Sequence, residues 1–170
     1  APREGEFPLI EGGRALLIGG GVGNAPLYYL ARELKRRGTR VSFVYGARSA
    51  DLIYCKDRFA REVDEFHLST DDGSEGRGGY CTETACELLE DGGYDRVYVC
   101  GPTPMMEGMV RLAAGSPVPM EVSLENYFGC GVGLCSGCTV ETSSGLRRAC
   151  VDGPVMDARA ILWDSLSGGH

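Results

Sequence analysis

The sequence is poor in histidine, and this limits the chemistry that it can support. Its 170 residues include two histidines, His67 and His170. We interpret His67, which lies within a strand pattern, as structural, and His170 is the last residue. We find no Ser/His/Asp set and no convincing pair of carboxylates, which are the groups that hydrolytic enzymes use. Hydrolytic chemistry therefore has no support in the sequence.

Long apolar runs and dense basic clusters are also lacking. No run approaches the roughly 18 apolar residues that span a bilayer, and the N-terminus has no charged-then-apolar signal segment. The formal net charge is −7, and the densest basic cluster, at residues 35–37, falls where a last helical turn favours cations. These features predict a soluble, cytoplasmic protein that binds neither membranes nor nucleic acid.

The eight cysteines do not have the distribution of a secreted disulfide framework. Four crowd into the 21 residues from Cys130 to Cys150 with metal-ligand spacing, and the others lie singly in apolar segments. We interpret the single cysteines as small buried hydrophobic residues: Cys55, Cys81, Cys86 and Cys100. Cys81 and Cys86 could lie on one helix, but five residues apart they do not share a face. The pattern favours a reducing compartment.

Apolar runs and helical periodicities alternate along most of the chain. The predicted strands are residues 14–19, 40–45, 66–69, 94–100 and 118–124. The predicted helices are residues 25–37, 59–63, 82–89 and 104–114. Such alternation predicts an α/β fold, with a parallel sheet covered by helices on both faces.

The composition divides the chain into three parts. Residues 1–13 are rich in proline and glycine and have the character of a linker or of the tail of an upstream domain. Residues 14–125 carry the α/β pattern and form the predicted nucleotide-binding domain. Glycine and cysteine dominate from residue 128 to 138, and strand-like pieces follow at 139–142 and 146–150. We therefore expect a small cysteine-rich domain over residues 126–170.

The cysteine segment has the spacing of a plant-type [2Fe–2S] site. Cys130, Cys135 and Cys138 form a C-x4-C-x2-C motif, and Cys150 follows after eleven residues. Such a cluster takes three thiolates from one tight loop and the fourth from a later segment. The interspersed glycines let the backbone turn its N–H groups toward sulfur. The alternative is a structural zinc site, but these usually have two C-x2-C pairs, and this segment has one.

A glycine-rich turn follows the first predicted strand. Glycines at a strand-to-helix turn let a pyrophosphate approach the backbone at the positive end of the helix. The usual G-x-G-x-x-G fingerprint is absent, and the form found is G-x-G-x-x-P, with proline in the first helical turn. The residues predicted to bind are Gly20, Gly21, Val22, Gly23, Asn24 and Pro26.

Two further segments lie where the other parts of a dinucleotide would rest. The fourth strand ends in a Cys-Gly-Pro turn, where a flat ring could lie beyond the carboxyl end of the strand. The candidates there are Cys100, Gly101, Pro102 and Met105. Arg48 and Ser49 follow the second strand, at the usual place of the adenosine ribose. Asp51 is a candidate for the ribose hydroxyls or for a helix cap, and the choice between NAD and NADP stays open.

Taken together, these motifs resemble one family, the electron-transfer subunit of B-type dihydroorotate dehydrogenase in the ferredoxin-reductase superfamily. The resemblance rests on Gly20 to Leu27, on the Cys100 to Met105 segment, on Glu121 to Glu125, and on the Cys130 segment through Val155. It implies that Gly20, Gly21, Gly23, Asn24 and Pro26 hold the pyrophosphate. It also implies that Cys100 lies near the contact of nicotinamide and flavin without acting as a nucleophile.

The resemblance also implies a relay. A hydride passes between NAD(H) and FAD, and single electrons pass through the [2Fe–2S] cluster to an FMN-containing catalytic subunit that oxidises dihydroorotate, in a heterotetramer. In the family an N-terminal barrel holds FAD. This sequence lacks the barrel, although residues 5–9 resemble the segment that closes it. We therefore expect a truncated protein, or a subunit with a separate flavin domain, that is inactive alone.

Two other interpretations remain. The first is a related flavoprotein subunit that serves a hydrogenase or an NADH-dependent ferredoxin:NADP oxidoreductase, since these relatives share the cluster motif. The second belongs to another class, a zinc-stabilised module that binds nucleotides without catalysis.

Overall fold

The first apolar run forms the buried strand β1, Arg14–Gly20, in the middle of the sheet. In the computed structural model, which describes residues 5–166, β1 pairs in parallel with both of its neighbours. The other strands are β2 Arg40–Ala47, β3 Glu65–Thr70, β4 Arg77–Gly78, β5 Arg96–Cys100, β6 Met120–Ser123, β7 Thr139–Thr142, β8 Gly145–Arg148 and β9 Val155–Asp157. The helices are α1 Asn24–Arg36, α2 Lys56–Glu62, α3 Cys81–Asp91 and α4 Thr103–Leu112.

Seven strands form one sheet in the order β4-β3-β2-β1-β5-β6-β9, and β7 and β8 form a separate hairpin. The first six strands of this order are parallel, and β9 pairs antiparallel with β6. The carboxyl ends of the parallel strands therefore share one edge, where open α/β sheets bind ligands.

Apolar side chains from β1 alternate between two cores. Leu17 packs with Phe43 and Tyr45 on the face that α1 and α2 cover. Leu16 and Ile18 pack on the opposite face, with residues of α3 and α4. The expectation of helices on both faces is thus confirmed, and burial of this kind contributes about 1.5–3 kcal/mol for each large apolar side chain.

The structure differs from the sequence prediction mainly in the short elements. Strands β4 and β9 were not predicted, because two or three residues are too few to show the alternation of apolar and polar side chains that marks a strand. Helix α2 begins three residues earlier than expected, at Lys56. Strand β9 follows the cysteine segment and yet joins the main sheet, so the predicted cysteine-rich domain shares a hydrogen-bonded sheet with residues 14–125.

The segment before β1 packs on the sheet. The ring of Phe7 meets that of Tyr98 edge to face, with 5.6 Å between centroids, and the Tyr98 hydroxyl donates to the carbonyl oxygen of Pro8 at 2.5 Å. The predicted linker at 1–13 is described from residue 5 onward, and His170 lies outside the described residues. Within residues 5–166, no helix is long and apolar enough to cross a membrane.

Candidate functional site

The glycine-rich turn is held in place by the first residue of α1. Gly21 has a φ of +54°, a conformation that favours glycine. The Asn24 amide is fully buried, and its Nδ2 donates to the carbonyl oxygens of Gly21 at 2.9 Å and Gly46 at 3.3 Å. Asn24 therefore fixes the turn from inside the fold and joins it to β2.

Gly23 brings two loops into direct contact. A Cβ placed on Gly23 would lie 2.3 Å from the carbonyl oxygen of Cys100 and 2.6 Å from the nitrogen of Gly101. The turn after β1 thus rests on the turn after β5, with no space for a side chain between them. Val22 and Pro26 are exposed, with Pro26 in the first turn of α1.

Tyr54, which the sequence did not single out, contacts the same turn. Its hydroxyl donates to the carbonyl oxygen of Gly21 at 3.1 Å. Its own backbone nitrogen donates to the Tyr45 hydroxyl at 3.2 Å, which anchors the loop between β2 and α2. No local pattern marks Tyr54, because this contact joins residues 33 positions apart.

A cavity of about 670 Å³ opens at the carboxyl edge of the sheet. This volume is within the range of ligand pockets, about 300–1,000 Å³. The predicted residues that line it are Gly20, Gly21, Arg48, Pro102 and Met105. Met105 covers both turns so closely that a Cβ on Gly20 would come within 2.3 Å of its Sδ. Gly23, Asn24 and Cys100 are buried and do not line it.

Two buried thiols lie at or beside this cavity. Burial raises the pKa of Cys81 to about 12 and that of Cys100 to about 11. The Cys81 thiol lines the cavity and donates to the Met105 sulfur at 3.6 Å. Cys100 pairs in register with Ser123 at the end of β6, and the charge of Glu125 also favours its neutral form. The sequence assigned no role to Ser123 or Glu125.

Some expectations in this region were wrong. Cys55 is exposed, with a φ of +53° just before α2, and Cys86 is only partly buried, with its thiol 3.7 Å from a Glu90 carboxylate oxygen. Asp51 does not cap a helix, since its carboxylate accepts a hydrogen bond from the Ser49 hydroxyl at 2.5 Å. Cys81 and Cys100 are buried as expected.

The first half of the cysteine segment surrounds the Cys130 sulfur with backbone donors. The N–H groups of Val132, Leu134 and Cys135 donate to it at 3.5, 3.2 and 3.4 Å. Led by the Cys135 N–H, these bonds lower the pKa of Cys130 to about 6. The Gly137 N–H donates to the Cys135 sulfur at 3.5 Å. Such donors favour thiolates, the form in which cysteine binds metals.

Cys138 and Cys150 form a second pair. The Cys150 N–H donates to the Cys138 sulfur at 3.5 Å. This bond and the one from the Cys150 thiol lower the pKa of Cys138, and the bond between the two thiols raises the pKa of Cys150. Within residues 5–166, no three His, Cys, Asp or Glu side chains converge as ligands of a single ion. Two pairs of thiols fit the four ligands of a two-iron cluster better than they fit one zinc ion.

Two family models match the chain. The oxidoreductase NAD-binding domain matches residues 17–111, which is more than half of the chain. The iron-sulfur cluster binding domain of dihydroorotate dehydrogenase B matches residues 125–162, the segment that contains the four clustered cysteines.

Relatives match over nearly the whole chain. The dihydroorotate dehydrogenase B (NAD(+)) electron transfer subunit homolog of Thermotoga maritima is 39% identical over 154 residues, 91% of this chain and 54% of that protein. The electron transfer subunit of Bacillus caldolyticus is 38% identical over 163 residues, 92% of this chain and 61% of that protein. A solved structure of NADH-dependent reduced ferredoxin-NADP oxidoreductase has 36% identity and a TM-score of 0.83, and covers 96% of this chain and 59% of that chain.

The chain therefore spans about half to three-fifths of the length of these relatives. The fold, the two matched domains and the cysteine spacing agree with the family expected from the sequence motifs. The chain belongs to the oxidoreductase NAD-binding domain family, and its residues 125–162 match the iron–sulfur cluster binding domain of dihydroorotate dehydrogenase B.

Proposed function

We propose that this chain is the nucleotide- and cluster-binding part of an electron-transfer subunit of dihydroorotate dehydrogenase B. Electrons pass between NAD(H), FAD and a [2Fe–2S] cluster to or from an FMN-containing catalytic subunit, in pyrimidine biosynthesis. Because the chain spans just over half of its curated relatives, the activity belongs to the longer protein, and residues outside this chain hold most of the FAD.

The observation that carries the proposal is the continuity between the two sites. Strand β6 ends at Ser123, beside Cys100, and the chain then runs directly into the cysteine segment. After that segment β9 returns to β6, and the Leu124 N–H donates to the Pro154 carbonyl oxygen at 2.8 Å. Both ends of the cysteine segment are thus anchored at the end of β6, on the same edge of the sheet as the cavity, which supports transfer between the two sites.

The residues of the cavity have separate tasks in this proposal. The N–H groups of the turn at Gly20 to Gly23, at the positive end of α1, bind the pyrophosphate, and Asn24 and Pro26 hold that turn at the start of the helix. Arg48 contacts the adenosine end. Cys100 lies beside the nicotinamide and stays protonated because burial raises its pKa, so it takes no part as a nucleophile.

The cysteine segment would hold the cluster through Cys130, Cys135, Cys138 and Cys150, with backbone N–H groups directed at the sulfurs. When bound, flavin exchanges two electrons with nicotinamide and one at a time with an iron–sulfur centre, which is the reason to combine the two groups in one protein. The residues of this chain supply thiolate ligands and donors that stabilise negative charge on sulfur.

Exposed apolar side chains around the cysteines support a partner subunit. Tyr127 is 80% exposed and Leu134 is 83% exposed. Phe128, Val132 and Val151 are also exposed beside the same cysteines. Apolar groups that form such a patch are typical of an interface, and we propose that the FMN-containing subunit covers them in a heterotetramer.

A second function has specific support from one relative. The structure with a TM-score of 0.83 is that of an NADH-dependent reduced ferredoxin-NADP oxidoreductase. In that case the same two sites would serve a different redox partner. The nucleotide and cluster parts of the account are common to both functions, so the partner is what must be determined.

The deciding experiment is affinity purification of the full-length natural protein, followed by identification of the bound subunit and its cofactors. The proposal expects an FMN-containing subunit of the dihydroorotate dehydrogenase type and NAD-dependent oxidation of dihydroorotate by the complex. Recovery of a subunit with several iron–sulfur clusters, and no dihydroorotate oxidation, would overturn it in favour of the second function.

A further inference from the structure

One side chain joins the three-cysteine loop to the segment that carries the fourth cysteine. Arg148, the last residue of β8, donates from Nη1 to the carbonyl oxygen of Gly133 at 2.7 Å. Gly133 has a φ of +80°, and a Cβ there would lie 2.7 Å from a Val151 methyl carbon and 3.2 Å from the Arg148 Nη1. Gly133 is therefore closely packed between the two segments.

The peptide group between Gly133 and Leu134 faces two different groups. Its carbonyl oxygen accepts the bond from Arg148 at 2.7 Å, and its N–H, that of Leu134, donates to the Cys130 sulfur at 3.2 Å. A cation bound to this carbonyl oxygen polarises the peptide and strengthens its N–H as a donor to the cysteine sulfur. Arg148 thus acts on the cluster site both directly, through its charge, and through the loop that it holds.

The backbone of Arg148 also holds the turn around Cys150. Its N–H donates to the Asp152 carboxylate at 2.6 Å. Its carbonyl oxygen accepts from the N–H groups of Val151 at 2.9 Å and Asp152 at 2.8 Å. The backbone that carries the Arg148 side chain is consequently fixed, which favours a defined position for the guanidinium charge.

The neighbouring arginine provides an internal comparison. Arg147 pairs with Asp152, with 3.8 Å between Nη1 and Oδ1. Within residues 5–166, the Arg148 guanidinium donates to the Gly133 carbonyl oxygen and forms no ion pair with an acidic residue. The two arginines carry the same charge one residue apart, but one touches the cysteine loop and the other does not.

We propose that Arg148 is a positioning residue that raises the reduction potential of the cluster by placing a cation on the Gly133 peptide of the cysteine loop. The inference rests on the proposed [2Fe–2S] cluster. One-electron reduction adds negative charge to the cluster, so a nearby cation and a better-aligned N–H donor favour the reduced form. Removal of the cation favours the oxidised form and lowers the potential.

The test compares wild type, Arg148→Gln, Arg147→Gln and Arg148→Lys after anaerobic cluster reconstitution. Midpoint potentials are measured by dithionite titration with redox mediators, followed by visible absorption and electron paramagnetic resonance, at low and high salt. Both Gln variants change the net charge equally. We expect Arg148→Gln to shift the potential downward, Arg147→Gln to stay near wild type, and Arg148→Lys to fall between them. Because Arg148 is itself exposed, high salt should reduce the part of the shift that comes from its charge, while the part that comes from its bond to the loop remains.

Equal potentials for the two Gln variants would overturn the proposal, whether both shift or neither does. A purely structural role would change cluster content and lifetime without a difference in the potential of the loaded fraction, and this result would also overturn it. If Arg148→Gln fails to retain a cluster, the potential of Arg148→Lys is the deciding measurement. A potential below that of wild type supports the proposal, and a potential equal to that of wild type overturns it. A wild-type protein that binds no iron would instead refute the proposed function itself.

Discussion

The phenolic hydroxyl of Tyr54 lies 3.1 Å from the carbonyl oxygen of Gly21 and donates a hydrogen bond to it. The contact holds the glycine-rich turn in place in the free protein, so nucleotide binding loses less conformational entropy. We predict that Tyr54→Phe weakens NADH binding about fivefold, since one hydrogen bond contributes about 1 kcal/mol. Isothermal titration calorimetry of the purified protein measures this.

Tyr29→Phe is the matched control for Tyr54→Phe. Tyr29 lies on α1 and is 65% exposed, so loss of its hydroxyl should leave the dissociation constant for NADH unchanged. Equal affinity of wild type and Tyr54→Phe would refute the role assigned to Tyr54.

The contact between the two turns can be tested with one methyl group. In Gly23→Ala, the new Cβ would strike the backbone of Cys100 and Gly101, which cannot move aside as a flexible side chain could. We predict a loss of about 1–3 kcal/mol in the free energy of unfolding, together with weaker NADH binding. Denaturant unfolding measures the first effect.

Gly115→Ala is the control for this substitution, because a Cβ at Gly115 would meet open space. Its free energy of unfolding should stay within about 0.5 kcal/mol of wild type. If Gly23→Ala is equally well tolerated, the two turns do not depend on the close contact.

The cysteines differ in their expected reactivity toward iodoacetamide. At pH 8 a pKa of about 11 leaves roughly one Cys100 thiol in a thousand ionised, and Cys81, with a pKa of about 12, is ionised even less. Cys55 is exposed. We predict that alkylation, mapped by mass spectrometry, modifies Cys55 in the folded protein and reaches Cys81 and Cys100 only in denaturant. If Cys100 is labelled as fast as Cys55 under native conditions, the Cys100 thiol is neither buried nor protonated in the folded protein.

Loss of one cluster ligand should separate cluster binding from folding. We predict that Cys135→Ser loses iron and visible absorption while the protein still unfolds cooperatively, since the two cores on the sheet do not include Cys135. Cys55→Ser is the control and should retain the cluster. The measurements are iron content and thermal unfolding followed by far-ultraviolet circular dichroism. Collapse of the whole fold in Cys135→Ser would show that the cysteine segment is required for the sheet to form.

The sequence allowed prediction of features that depend on local spacing. The alternation of strands and helices follows from apolar periodicity, and the cysteine motif follows from four residues close together in the chain. Strand β9 could not be predicted in this way, because its three residues become a strand only by pairing with β6.

Other features depend on contacts between distant residues. Cys55 follows an apolar stretch and was expected inside, but the chain turns there with a φ of +53° and the thiol faces outward. The bonds from Tyr54 to Gly21 and from Arg148 to Gly133 join residues 33 and 15 positions apart. No local pattern predicts such pairs, so they required the folded structure.

The most direct test of the central claim is the visible and electron paramagnetic resonance spectrum of the anaerobically purified protein, together with its iron and zinc content. The account predicts a reddish-brown protein with two irons for each chain and a rhombic signal after reduction with dithionite. A colourless protein with stoichiometric zinc and no iron, even after reconstitution, would contradict it.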